Sequence, residues 1–158
     1  MDDTILELRQ AAAQGNAVSQ SKLGTLYYQG RGVPQDYLEA MSWFQKAAAQ
    51  GDAAAQLRLG FMYHQGVGVL QDLQTAAAWF KTAAEQGDAA AQFNLAVMYD
   101  DGEGVPQDPV QAHLWMNLAA LQGNEEAAKN RDIIAKSMSF AQIQKAQELA
   151  KNWQSSRS

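Results

Sequence analysis

Gly51-Asp52-Ala53-Ala54-Ala55-Gln56-Leu57-Arg58-Leu59-Gly60-Phe61-Met62-Tyr63-His64-Gln65-Gly66 is the stretch that decides the fold. It opens on glycine followed by a capping residue, then alanines, and closes on a second glycine. Gly87-Asp88 through Gly102 repeats it, and so does Gly15-Asn16 through Gly30. The opening glycines Gly15, Gly51, Gly87 and Gly123 are spaced by 36 (51 − 15, 87 − 51, 123 − 87). The same ruler aligns Gln20, Gln56 and Gln92, Leu23, Leu59 and Leu95, Tyr27, Tyr63 and Tyr99, and Trp43, Trp79 and Trp115. Self-similarity at a fixed period of this length marks a repeat architecture.

The punctuation predicts two helices per unit. Asn16, Asp52, Asp88 and Asn124 stand before alanine-rich runs as N-caps. Gly30, Gly66 and Gly102 suit the C′ position, where positive φ is required. Asp36, Asp72 and Asp108 cap the second helices, and Pro109 takes the first helical position, where its missing N–H costs nothing. Each helix should run about 13 residues, roughly 20 Å, too short to stand alone. Leu23, Gly24 and Tyr27 share one face of the first helix, and Trp43, Ala47 and Ala48 share one of the second. Gly24 and Gly60 are expected to admit a neighbouring helix, with the tryptophan filling the space beside them. Ala96 replaces that glycine in the third unit, where looser packing is expected.

The pattern Gly-Asp-Ala-x-Ala-Gln-x-x-Leu-Gly/Ala-x-Met-Tyr, then Gly-x-Gly-Val-Pro-Gln-Asp, then Ala-x-x-Trp-Phe-x-x-Ala-Ala-x-Gln covers residues 15–122 and resembles the Sel-one-like repeat (SLR) family of tetratricopeptide-like helical repeat proteins. The resemblance implies an all-α, right-handed superhelical solenoid of antiparallel helix pairs that serves as an adaptor between proteins. Leu70 departs from the pattern, standing where the other units have Pro34 and Pro106.

A single repeat domain over 1–158 is expected. Residues 3–14 form an N-terminal capping helix, and 15–50, 51–86 and 87–122 form three full repeats. Residues 123–153 form a partial repeat and a C-terminal capping helix. In that last segment Arg131 stands where leucine recurs and Ala135 where tyrosine does. Ser139-Phe140-Ala141-Gln142 has capping-box form and opens a helix with Phe140, Ile143, Ala146, Ala150 and Trp153 on one face. Ser155 to Ser158 reads as a frayed tail. Atypical ends are needed because an exposed repeat interface is sticky.

The totals exclude several function classes. With 47% hydrophobic and 18% charged residues, the chain is a folded one. A net charge of -5 argues against a nucleic-acid partner, which needs a dense basic face. No apolar run approaches the roughly 20 residues that span a bilayer, so no membrane partner is expected. There is no cysteine for a disulfide or thiolate metal site. The acidic start Met1-Asp2-Asp3-Thr4-Ile5 is unlike a signal peptide, which makes the cytoplasm the expected compartment. A periplasmic or secreted form whose signal had been removed would read the same.

Chemistry-bearing patterns are sparse. Ser19-Gln20-Ser21-Lys22 contains Ser-x-x-Lys, and helical-repeat relatives of the family have been linked to β-lactam binding. The Ser-Asp-Asn and Lys-Thr-Gly companions of that nucleophile pattern are absent, so the serines are read as decorating a wet helix face. Asp100-Asp101-Gly102-Glu103 lacks the ordered oxygen ligands of a calcium loop. His64 and His113 have no carboxylate or cysteine at ligand spacing. No catalytic residue, metal or cofactor is expected, and the chain reads as not an enzyme.

Positions that differ between repeats carry the functional reading. If first helices line a concave face, the stripe at i, i+3, i+7 and i+10 reads Val18, Ser21, Thr25 and Tyr28, then Ala54, Leu57, Phe61 and His64, then Ala90, Phe93, Val97 and Asp100. Thr25, Tyr28, Leu57, Phe61, His64, Phe93, Val97 and Asp100 are the expected partner-binding residues, with an apolar trough on Leu57, Phe61, Phe93 and Val97. Such a trough suits an amphipathic helix or an extended peptide; the alternative is that Leu57 and Phe93 only pad neighbouring helices. Charge is uneven: residues 1–81 sum to -1, 82–128 to -8 and 129–158 to +4, which total -5. The expected function is therefore a monomeric, non-enzymatic interaction module for a protein or peptide. The alternatives are an immunity or regulatory protein occluding one enzyme, a β-lactam-binding enzyme acting through Ser19, and a self-associating solenoid.

Overall fold

The computed structural model describes residues 2–158. Among them the regular elements are all helical: α1 (Asp3–Ala13), α2 (Ala17–Gln29), α3 (Tyr37–Ala49), α4 (Ala53–Gln65), α5 (Leu73–Glu85), α6 (Ala89–Asp101), α7 (Pro109–Leu121), α8 (Glu125–Ala135) and α9 (Phe140–Ser155). Met1, the first residue of the expected domain and N-terminal stretch, lies outside the described residues. The chain forms two compact units, one up to Trp79 and one from Phe80 onward.

The helix ends are built by the residues the repeat sets there. Asn16, Asp52, Asp88 and Asn124 accept from the backbone N–H three residues on. Asp36 and Asp108 each accept two N–H groups, and Pro109 occupies the first turn of α7. Asp72 accepts from the Thr75 N–H at 3.1 Å and its hydroxyl at 2.7 Å, bonds that hold its carboxyl below the ordinary carboxylate range. Gly30, Gly66 and Gly102 end α2, α4 and α6 at φ 66, 69 and 70, a region that L side chains rarely adopt.

In the N-terminal unit α1 packs on α2, α2 on α3 and α3 on α4. The α2–α3 pair is antiparallel: the Asp36 N–H donates to the Tyr27 carbonyl, Gly24 meets Ala40 and Phe44, and Gln20 meets Gln50. Its core joins Ala40, Met41, Phe44, Ala47 and Ala48 to Ala55, Leu59 and Met62, with Tyr27, Tyr28, Tyr63, Val69 and Trp79 packed against it. In the C-terminal unit α6 packs on α7, and α7 on both α8 and α9. There the Asp108 N–H donates to the Tyr99 carbonyl and Gln122 meets Gln92, the same antiparallel relation.

Three expectations are corrected. Phe44, not Trp43, fills the space at Gly24: a Cβ there would lie 2.8 Å from two atoms of the Phe44 ring. Phe44 and Phe80 are fully buried, whereas Trp43 is half-buried and donates its indole N–H to Glu39 at 3.0 Å. An indole needs a partner for its N–H, and the wet side of the helix supplies one. In the third unit Ala96 and Met116, the counterparts of Gly24 and Phe44, are both completely buried. The alanine methyl and the methionine are as inaccessible to solvent as the glycine and phenylalanine at the matching positions of the first unit.

The other two corrections concern α9. Phe140 is 76% exposed while Ala146 and Ala150 are buried, so the buried face of α9 begins after its first turn. The segment after α9 is not frayed, since Arg157 donates to two carbonyls at the end of α5. The capping box at Ser139 and Gln142 has both of its bonds.

Candidate interaction surface

A glutamine at the start of each first helix fixes how that helix sits. Gln20, Gln56 and Gln92 donate to the carbonyls of Ala12, Ala48 and Ala84 at 3.1, 3.2 and 3.2 Å. Gln20 also accepts from Gln50 at 2.8 Å, and Gln92 from Gln122 at 2.9 Å. The fully buried Gln92 thus ties three helices together. A second glutamine holds the other end. Gln35, Gln71 and Gln107 donate to the carbonyls of Tyr28, His64 and Asp100 at 2.9, 2.8 and 2.7 Å. The last residues of the varying stripe are thereby pinned through their own backbones. Their recurrence every 36 residues was the available signal, but a side chain's partner is not written in its spacing.

The stripe itself is part open. In the N-terminal unit Thr25, Tyr28, Leu57, Phe61 and His64 are half-buried. Thr25 spends its hydroxyl on the Ser21 carbonyl at 3.0 Å, and Tyr28 packs against Tyr37 with the rings tilted by 60° and their centroids 5.2 Å apart. Tyr28 therefore does part of its work in packing. Ser21 is buried rather than on a wet face. In the C-terminal unit Phe93 and Val97 are half-buried and Asp100 is exposed. The Asp100 carboxyl is raised above its ordinary range by partial burial and by the adjacent Asp101. Among the described residues no three His, Cys, Asp or Glu side chains gather as a metal set. No helix there is long and apolar enough to cross a membrane. Leu70, the departure from the repeat, is 89% exposed.

His113 lies away from this surface, at the position of Met41 and Ala77 in the preceding units (113 − 72 and 113 − 36). It is 3% exposed and its Nδ1 has no hydrogen-bond partner. Burial pushes its pKa below the ordinary imidazole value; Arg131 on the neighbouring α8 adds to this and Asp132 opposes it. The unfolded chain therefore binds this proton more readily than the folded one. The contribution to stability is complete above the ordinary imidazole pKa and is lost as pH falls through it toward the lowered folded value. Thermal unfolding at pH 7.5 and 5.5 should show a smaller acid-induced drop in Tm for His113→Met than for the wild type. An equal drop would assign the acid sensitivity to other groups.

Glutamine-stapled helix pairs, recurring with fixed caps and loops, define a helical tandem-repeat protein. The Sel1 repeat matches residues 17–52, 53–88 and 89–124, and the chain belongs to the Sel1 repeat family. It is similar to the crystal structure of a Sel1 repeat protein from Oxalobacter formigenes, at 37% identity and TM-score 0.77, over 82% of this chain and 97% of that one. It is also similar to c5321, a protective antigen of uropathogenic Escherichia coli strains displaying an SLR fold, at 33% identity and TM-score 0.72. That match spans 94% of this chain and 40% of the antigen. The cysteine rich protein B of Helicobacter pylori shares the fold at 22% identity and TM-score 0.63, over 78% of this chain and 93% of that one. No curated protein matches the chain.

Proposed function

We propose that the chain is a non-enzymatic protein-interaction module whose first-helix stripes hold a peptide or protein segment. Leu57 and Phe61 serve in the N-terminal unit, and Phe93 and Val97 in the C-terminal one. One observation carries the reading. The stripe positions change from unit to unit while the buried glutamines and leucines of the same helices (Gln20, Gln56, Gln92; Leu23, Leu59, Leu95) stay fixed, and these four apolar side chains keep part of their surface open. Family membership supports it, since Sel1 repeats in general mediate protein–protein contacts. Covering the remaining surface of such side chains releases ~1 kcal/mol apiece, which within each unit adds to the polar contacts that position a segment.

The test is a matched pull-down from native cells with the wild-type chain and with Phe61→Glu/Phe93→Glu. The double variant should lose the wild-type partner while keeping its helical circular-dichroism signal. Retention of the same partner by a folded double variant would remove the idea.

A further inference from the structure

We propose that the C-terminal end of α5 carries a binding notch for an arginine side chain, occupied by the chain's own Arg157 and open to exchange with an arginine of a partner. The notch lies wholly in the C-terminal unit and is independent of the first-helix stripes.

Three observations define it. The Arg157 guanidinium donates from Nη1 to the Glu85 carbonyl at 2.5 Å and from Nη2 to the Gln86 carbonyl at 2.6 Å. These acceptors close a helix, where carbonyls lack intrahelical donors and the helix dipole presents its negative end. The same guanidinium lies 4.6 Å over the Trp153 ring, which stands edge-on to Trp115 with ring centroids 6.1 Å apart. Gly87, at φ +97, leaves the space: a Cβ there would meet Nη2 at 3.0 Å. The equivalent glycines Gly15, Gly51 and Gly123 face open space within 4 Å, so the filled notch is a property of this helix end and not of the repeat.

The geometry selects a guanidinium. Its planar fork places two N–H groups on two carbonyls while its face rests on an aromatic ring, which the compact ammonium of lysine cannot do. Beside the notch is an open pocket of about 260 Å³ lined by Leu118, Leu121, Gln122 and Trp153. That is below the ~300 Å³ from which drug-sized pockets begin, so it suits a neighbouring side chain of a peptide better than a separate small molecule. Leu121 is 56% exposed and offers apolar contact at the rim.

Exchange is feasible because Arg157 is exposed and lies past the helical part of α9, its backbone held by single turn bonds from Ser156 to Asn152 and from Arg157 to Gln154. A tethered competitor acts at a local concentration of ~1 mM, so an arginine probe whose own Kd is ~0.1 mM should bind roughly ten-fold weaker while Arg157 is in place.

N-acetyl-arginine amide is the probe, with the citrulline analogue as its uncharged isostere. Binding is read by NMR from the Trp153 indole and the Gly87 and Asp88 amides. In Arg157→Ala the arginine probe should shift these signals saturably and the citrulline analogue should not. The wild type should need roughly ten-fold more probe. A folded variant showing no saturable shift, or an equal response to citrulline, overturns the proposal. Arg157→Gln, which keeps the aliphatic stem over Trp153, repeats the test if the alanine variant loses helicity. The wild type gives a reading without any variant: its Arg157 Nε–H resonance should move toward the free value as probe saturates. A resonance that stays fixed while the amides shift also overturns it.

Discussion

Phe44→Ala is expected to destabilise the chain by about 3–5 kcal/mol, while Trp43→Ala one residue earlier costs about 1 kcal/mol or less. The difference comes from where each ring ends. Phe44 is completely buried among Ala40, Ala47 and the residues of α4, with its ring edge against the bare Cα of Gly24. Removing it leaves a cavity that two helices cannot close, because Ala40 and Gly24 are already in near contact. Trp43 lies half in solvent, where its indole donates to Glu39 and its face carries the Lys46 ammonium at 4.4 Å. Those are exposed interactions of small worth. Urea titration followed by circular dichroism checks the pair. A larger loss from Trp43→Ala than from Phe44→Ala would mean that Trp43, not Phe44, fills the core at Gly24.

Gln92→Leu carries the next largest effect, about 1–3 kcal/mol. Leucine has nearly the volume of glutamine, so little of the loss comes from a cavity. The loss arises because Gln122 is left without its acceptor and Ala84 without a side-chain donor. The Ala84 carbonyl still accepts from the Gly87 N–H at 2.9 Å, and the Gln122 amide still donates to the Gly87 carbonyl at 2.9 Å, which keeps the cost from rising further. A double-mutant cycle with Gln122→Leu should return a coupling energy of about 0.5–3 kcal/mol. Additive losses would mean that the two amides act separately. Because each unit has its own core, the measurement is best made on the amides of α6 and α7 by hydrogen exchange, which reports the local opening.

Much of the fold was legible because its signals are local. A cap acts on a backbone N–H two or three residues away, and a C′ glycine is required by the φ of its own residue. Asn16, Asp52, Asp88, Asp108, Gly30, Gly66 and Gly102 could therefore be assigned correctly without knowing what packs where. The candidate surface was less legible. Whether Tyr28 faces a ligand or Tyr37, and how much of Phe93 stays open, depends on neighbours distant in sequence. The glutamines were visible as invariants but their partners were not: Gln122 is 30 residues from Gln92.

By itself the sequence determined the period, the two helices in each unit, their boundaries and the family. These follow from backbone geometry and hydrogen-bond capacity, which each residue carries with it. Tertiary structure alone decided that Phe44 rather than Trp43 fills the space at Gly24, that Trp115 is buried although Trp43 is not, and that Arg157 closes a helix end 72 residues away. Those outcomes turn on shape and on which polar atom finds a partner once helices meet. A linear pattern of apolar and polar residues does not encode either.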